Sequence, residues 1–194
     1  RIDTLDLLET ILQIEIEWKE WNQAEKLAEN LMLLSKNHEY YCYSGKIAMN
    51  QGKYEDALEL LSYAMELDSS SVDAFFIRSK VWMAINNDAE AVLDLERAIS
   101  IDANDPEGYY YLAKFFLQKG EFLKVLKYLN LSIARYKNDY FISDKDATQT
   151  IELYTLYQER AECYRILGDN DLMCDDLKSA IELGANINLD ACIF

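Results

Sequence analysis

Seven positions recur along this chain at intervals of 34 residues, and that repeat limits its possible folds more tightly than any other feature. The central copy is Phe75, Arg78, Ser79, Trp82, Ala91, Leu95 and Ala98. Thirty-four residues earlier the same places hold Tyr41, Ser44, Gly45, Ala48, Ala57, Leu61 and Ala64. Thirty-four residues later they hold Tyr109, Leu112, Ala113, Phe116, Val125, Leu129 and Ser132. Within each copy the apolar places fall at helical spacing, in two runs separated by a turn signal. A fixed period of this length marks a helix–turn–helix array, whose units cannot bury their apolar faces alone and must stack on one another. The expected fold is all-α.

The turn signals set the boundaries. In residues 38–71 a first helix spans about Glu39 to Gln51, Gly52 ends it, and a second spans about Tyr54 to Leu67. Glycine suits that stop because the residue after a helix often takes a left-handed conformation. Residues 72–105 repeat the plan, with Ser71 or Asp73 as cap and Asn86–Asn87 in place of the glycine. In residues 106–139, Asp105 caps, Pro106 takes the first helical place, and Gly120 separates helices over Glu107–Lys119 and Phe122 to about Tyr136. Residues 5–37 read as a degenerate first unit that turns near Lys19–Glu20. The period then breaks. Residues 140–153 read as an insertion, with a loop over Asn138–Lys145 and a helix capped by Asp146 that runs to Leu167. A last unit occupies 154–187, with Gly168 and Gly184 as stops. The tail, 188–194, is expected to fold back over the final apolar face. The whole of 1–194 is read as one solenoid.

The net charge of −16 and a pI near 4.4 argue against nucleic acid as partner, because phosphate binding needs a basic surface. No apolar run reaches the roughly 18 residues of a membrane span. The first residue is arginine, which implies excision or processing upstream. Cys42, Cys163, Cys174 and Cys192 form no CxxC pair and show no metal-site spacing. They read as free thiols on helices, a pattern that favours a reducing, cytoplasmic setting. His38 is the single histidine and reads as an exposed residue at a helix start. No phosphate loop, nucleophile elbow or metal cluster appears, so no catalytic role, cofactor or metal is expected.

The residues Gly45, Gly52, Tyr54, Ala57 and Ala64, then Trp82, Ala91 and Ala98, then Tyr109, Leu112, Ala113 and Gly120, and finally Arg160, Ala161, Tyr164, Gly168 and Ala180, resemble the tetratricopeptide repeat family. The resemblance covers residues 38–183 and, more faintly, 5–37. The family's usual proline after the second helix is missing, with Ser69 and Ala103 in its places. The resemblance implies a right-handed α-α superhelix of four to five stacked helix pairs, with the first (A) helix of each pair lining a concave face. It implies a scaffold that binds a protein or peptide in that groove. Two other readings stay open: a structural spacer or oligomerisation arm of a longer protein, and a chaperone for secreted clients. Relatives that clamp the C-terminal carboxylates of heat-shock chaperones use lysines, asparagines and an arginine. The matching places here hold Cys42, Lys46, Ile77, Glu107 and Tyr111, which rules that mode out.

Two patterns inside the repeat carry specific expectations. Arg78 and Arg160 share the seventh place of their A helices, and only those two units have an acid at place 23, Asp94 and Asp176. These four residues are expected to form two ion pairs between helices. Lys46, Lys80 and Lys114 share the ninth place, which the resemblance turns into the groove. With Phe76, Tyr110, Met49 and Met83 they make a cationic row beside an apolar stripe, suited to an acidic segment with apolar side chains. Lysines about 10 Å apart repel by only about 0.4 kcal/mol in water, so such a row costs little to keep.

Overall fold

The computed structural model describes residues 4–139, 153–189 and 192. Among these, all regular secondary structure is helical, in ten elements. The chain forms two compact units, Arg1–Ile101 and Asp102–Phe194.

The first unit contains α1 (Thr4–Glu17), α2 (Trp21–Leu34), α3 (His38–Asn50), α4 (Tyr54–Leu67), α5 (Val72–Ala84) and α6 (Asp88–Ile101). They pair as antiparallel hairpins because short turns join them. Gly52 takes φ +77° between α3 and α4, and Asn86 takes φ 59° between α5 and α6. Lys19 takes φ 60° between α1 and α2, so that turn adopts the left-handed geometry with neither glycine nor asparagine. Ser71 caps α5 by accepting from the Ala74 amide, 3.4 Å away.

Small residues decide how closely the hairpins close. Ala57, Leu61 and Ala64 on α4 are fully buried. A Cβ placed on Gly45 of α3 would lie 2.6 Å from Leu61 Cγ, so only glycine permits this approach. Leu12, Ala24, Ala28, Leu31, Tyr40 and Ile47 form the core shared by α1, α2 and α3. Each fully buried leucine in such a core contributes about 1.5–3 kcal/mol.

The second unit contains α7 (Pro106–Gln118), α8 (Phe122–Asp139), α9 (Leu153–Leu167) and α10 (Asn170–Glu182). Asp105 caps α7 by accepting from the Glu107 amide at 2.9 Å, with Pro106 at the first turn as expected. α8 continues through Asp139, so the loop expected to begin at Asn138 is helical there. The expected cap at Asp146 lies outside the described residues. From Leu153 onward α9 follows the expected path, and Gly168 at φ +82° ends it.

One expectation is overturned here. Cys174 on α10 is bonded to Cys192 in a disulfide, so these two are not free thiols. The spacing of 18 residues gave no sign of it, because the pairing depends on how the tail returns. Cys192 packs beside Ala161, Met173 and Leu177, which makes it part of the cover over the last hairpin. Cys42 and Cys163 are free and buried.

Candidate functional site

The cationic row is built differently in the two units. In the first, Lys46 and Met49 stand one turn apart on α3. Lys80 and Met83 repeat that spacing on α5, which lies against α3. All four side chains are half-buried. Burial, and after it the charge of Lys80, holds the Lys46 ammonium below its ordinary lysine range. Phe76 was expected on the open stripe beside them, but only 5% of it is exposed, and Cys42 in the matching place of α3 is equally covered. Both belong to the packing: the A helices are close enough to bury the fifth place. Burial pushes the Cys42 thiol up to about 11.

In the second unit Lys114 is already engaged. Its Nζ lies 3.1 Å from Glu159 Oε1 on α9, and the Tyr110 hydroxyl donates to the same oxygen at 2.8 Å. The ammonium also lies 5.7 Å from the centre of the Tyr110 ring. Burial first, and then Glu159 as neighbour, raises the Tyr110 hydroxyl above its ordinary range. The third lysine therefore has Glu159 as its counter-ion. Sequence reading missed Glu159 because its place, the sixth, holds Tyr43, Ile77 and Tyr111 in the other units and so carries no recurring charge.

The two arginine pairs form as expected. Arg78 donates to Asp94 through Nε at 2.8 Å and a terminal nitrogen at 2.7 Å. Arg160 does the same to Asp176 at 2.7 and 2.5 Å. Both carboxylates are almost wholly buried, Asp94 at 2% and Asp176 at 4% exposed. Burial works against the Arg160 charge, but the bonds to Asp176 outweigh it and raise the guanidinium further. These bidentate pairs are the strong form of a charge-assisted hydrogen bond.

A further feature had no sequence signal. A cleft of about 630 Å³ opens between α2, α3 and α4. Met32, Ile47, Ala48 and Leu60 line its apolar part, with the rings of Tyr41 and Tyr63, whose centres are 4.6 Å apart. Glu25, Glu29, Asp56, Glu59 and Glu66 also line it, with Lys53 as the one cation of the lining. Glu25 is bound by Lys53 at 2.6 Å and by the Gln51 amide at 3.0 Å. Those contacts hold its carboxyl below the usual carboxylate range. Among the described residues no group of three or more histidine, cysteine or acidic side chains is placed so as to hold a metal ion. No helix there is long and apolar enough to cross a membrane. His38 opens α3 with its Nε2 3.6 Å from Asp68.

Helix hairpins repeated at a 34-residue pitch, closed by small residues and tied by buried arginine–aspartate pairs, define a tetratricopeptide-type repeat protein. The chain belongs to the family described as the second ARM domain of tetratricopeptide repeat protein 21, whose model matches residues 21–139. No curated protein matches it in sequence. Among solved structures it is similar to MamA, with a TM-score of 0.65 and 21% identity over 94% of this chain and 95% of that one. It is similar also to TTC0263, a thermophilic repeat protein of the same type from Thermus thermophilus. That likeness has a TM-score of 0.67 at 14% identity and covers 95% of each chain. A third is YrrB, described as a protein of this type with an unusual peptide-binding site, at a TM-score of 0.56 and 14% identity. It covers 91% of this chain and 84% of that one. Likeness at this identity establishes the fold.

Proposed function

We propose that this chain is a protein-binding scaffold, not a catalyst, and that its A helices hold an acidic segment carrying apolar side chains. In the first unit Lys46 and Lys80 are the cationic contacts and Met49 and Met83 the apolar ones. In the second, Lys114 and Tyr110 offer the same chemistry, with Glu159 as the group a ligand carboxylate would displace. The observation that carries this reading is the neighbouring pair Lys46 and Lys80 on α3 and α5. In a chain of net charge −16 it keeps two like charges together and partly out of water. The opposite charge of a carboxylate placed between them would offset the cost of desolvation and the repulsion. The peptide-binding site described for YrrB supports the use of such a fold for this purpose.

The test compares the parent with a Lys46→Glu, Lys80→Glu, Lys114→Glu variant against a partner recovered with the parent and identified. Affinity should fall at least tenfold, with weaker salt dependence than the parent shows. A folded variant that keeps its affinity would overturn the assignment of these lysines.

A further inference from the structure

The cleft between α2, α3 and α4 corresponds to a place that is filled by an arginine elsewhere in the molecule. The fourth place of each A helix is an aromatic ring: Tyr41, Phe75, Tyr109 and Tyr157. Three of these rings carry a guanidinium supplied by the chain. Arg78 lies 5.8 Å from the centre of Phe75, Arg135 lies 5.7 Å from Tyr109, and Arg160 lies 5.3 Å from Tyr157. Among the described residues Tyr41 has none, and no arginine occurs in the sequence between residues 2 and 77. Its partner is the ring of Tyr63.

The reason lies one turn further along the helix. Ser44 stands where α5 has Arg78 and α9 has Arg160, and Leu60 stands where α6 has Asp94 and α10 has Asp176. In α7 the same place holds Leu112, whose bulk fills it, and it is 1% exposed. Serine is too small to fill it, and the space is left open as the cleft. The surroundings have not become neutral in compensation. Glu29 on α2 and Asp56, Glu59 and Glu66 on α4 line the cleft and make no ion pair among the described residues. In the second unit, Arg160 also reaches Asn130 on the preceding B helix, at 2.5 Å. Glu29 occupies the comparable position on α2, eight residues after the first residue of its helix, as Asn130 does in α8.

We infer that this cleft receives an arginine side chain of a partner polypeptide, seated on Tyr41 and Tyr63 among the acids Glu29, Glu59 and Glu66. The chemistry favours guanidinium over ammonium. A planar cation stacks on a ring and donates from its edge to more than one carboxylate, whereas a lysine is a point charge with a larger hydration cost. The site is separate from the A-helix lysines and takes a ligand of the opposite sign.

The probe is the tripeptide acetyl-Leu-Arg-Leu-amide, titrated into the full chain and followed by amide chemical shifts. Expected are shifts centred on Tyr41, Glu59 and Tyr63, with the citrulline peptide at least tenfold weaker and the lysine peptide several-fold weaker. Two variants complete the test. Ser44→Arg/Leu60→Asp installs the chain's own pair and should abolish binding. Glu29→Gln/Glu66→Gln, both on the surface, should weaken it at least tenfold without disturbing the fold. Lys80→Glu should leave it unchanged, which separates this site from the proposed groove. Equal binding of the citrulline or lysine peptide would overturn the inference. So would shifts confined to α5 or α6, or undiminished binding by the carboxamide variant.

Discussion

The hairpins α3–α4 and α5–α6 stand side by side in the first unit with the same length and turn position, yet they are held by different means. In α5–α6 the central crossing is ionic: Arg78 makes two hydrogen bonds to Asp94, which is 2% exposed. In α3–α4 the same places are Ser44 and Leu60. The approach there depends on shape, with Gly45 so close to Leu61 that a Cβ would meet Cγ at 2.6 Å. The difference teaches that the repeat specifies a geometry and leaves the chemistry at its centre free. A charge pair makes its place demanding, because neither partner tolerates loss of the other. A glycine contact makes its place intolerant of addition. The ionic hairpin fills its centre with the arginine side chain, and the apolar one leaves a cleft.

The largest expected effect comes from breaking the ionic hairpin on one side. Arg78→Met leaves Asp94 buried without a counter-charge and should cost about 3–5 kcal/mol, read by urea denaturation. A loss below about 1 kcal/mol would show that water reaches the carboxylate and that the two hairpins differ less than their geometry suggests. The apolar hairpin breaks by addition. Gly45→Ala should cost about 1–3 kcal/mol through overpacking against Leu61. Ala113, in the same place of α7, should accept the reverse change to glycine at about 1 kcal/mol, the ordinary helix penalty.

A smaller effect distinguishes the hairpins by pH. Cys42 lies in α3, where α5 has Phe76. Its thiol is raised by burial from 9.0 to about 11. A raised folded value means that the contribution is complete below the unfolded value and lost as pH climbs through the folded one. The stability advantage of the parent over Cys42→Ala should therefore shrink between about pH 9 and 11, as thermal melts would show. A gap that stays constant over that range would place the thiol in water. The smallest effect is the sharpest comparison. Arg78→Leu/Asp94→Leu, which copies the leucines that stand at these places in α7 and α4, should leave stability within about 1 kcal/mol of the parent or raise it. A double variant as damaged as Arg78→Met would mean that the pair is required for the geometry itself.

The fold was legible because it is periodic. One set of places, read three times, fixes helix, turn and register together, and the turn residues Gly52, Asn86 and Gly120 all adopt left-handed backbone. The arginine–aspartate pairs were legible for the same reason, since the charges appear and vanish together from unit to unit. What was not legible lies outside the period. Glu159 meets Lys114 from a place that holds no acid in the other units, and the Cys174–Cys192 bond depends on a tail with no repeat partner. Phe76 was misjudged because a repeat place predicts a direction, while burial depends on how near the neighbouring helix comes. The cleft was hidden most thoroughly. It is recorded in the sequence only as two ordinary residues, Ser44 and Leu60, standing where another unit has charges.

The bond between Cys174 and Cys192 has a mechanical consequence. It closes a loop of 18 residues, so a pull applied to the chain beyond Cys192 bypasses that loop and enters the fold at Cys174, within α10. The length stored behind the bond is roughly 60 Å at about 3.5 Å per extended residue. While the bond stands, tension acts on the middle of the last helix and the loop contributes no extension. Once it is reduced, tension enters at the C-terminal end of α10, which buried Ala180 and the Arg160–Asp176 pair hold in the last hairpin. The point at which tension enters the last repeat is thus set by one covalent bond.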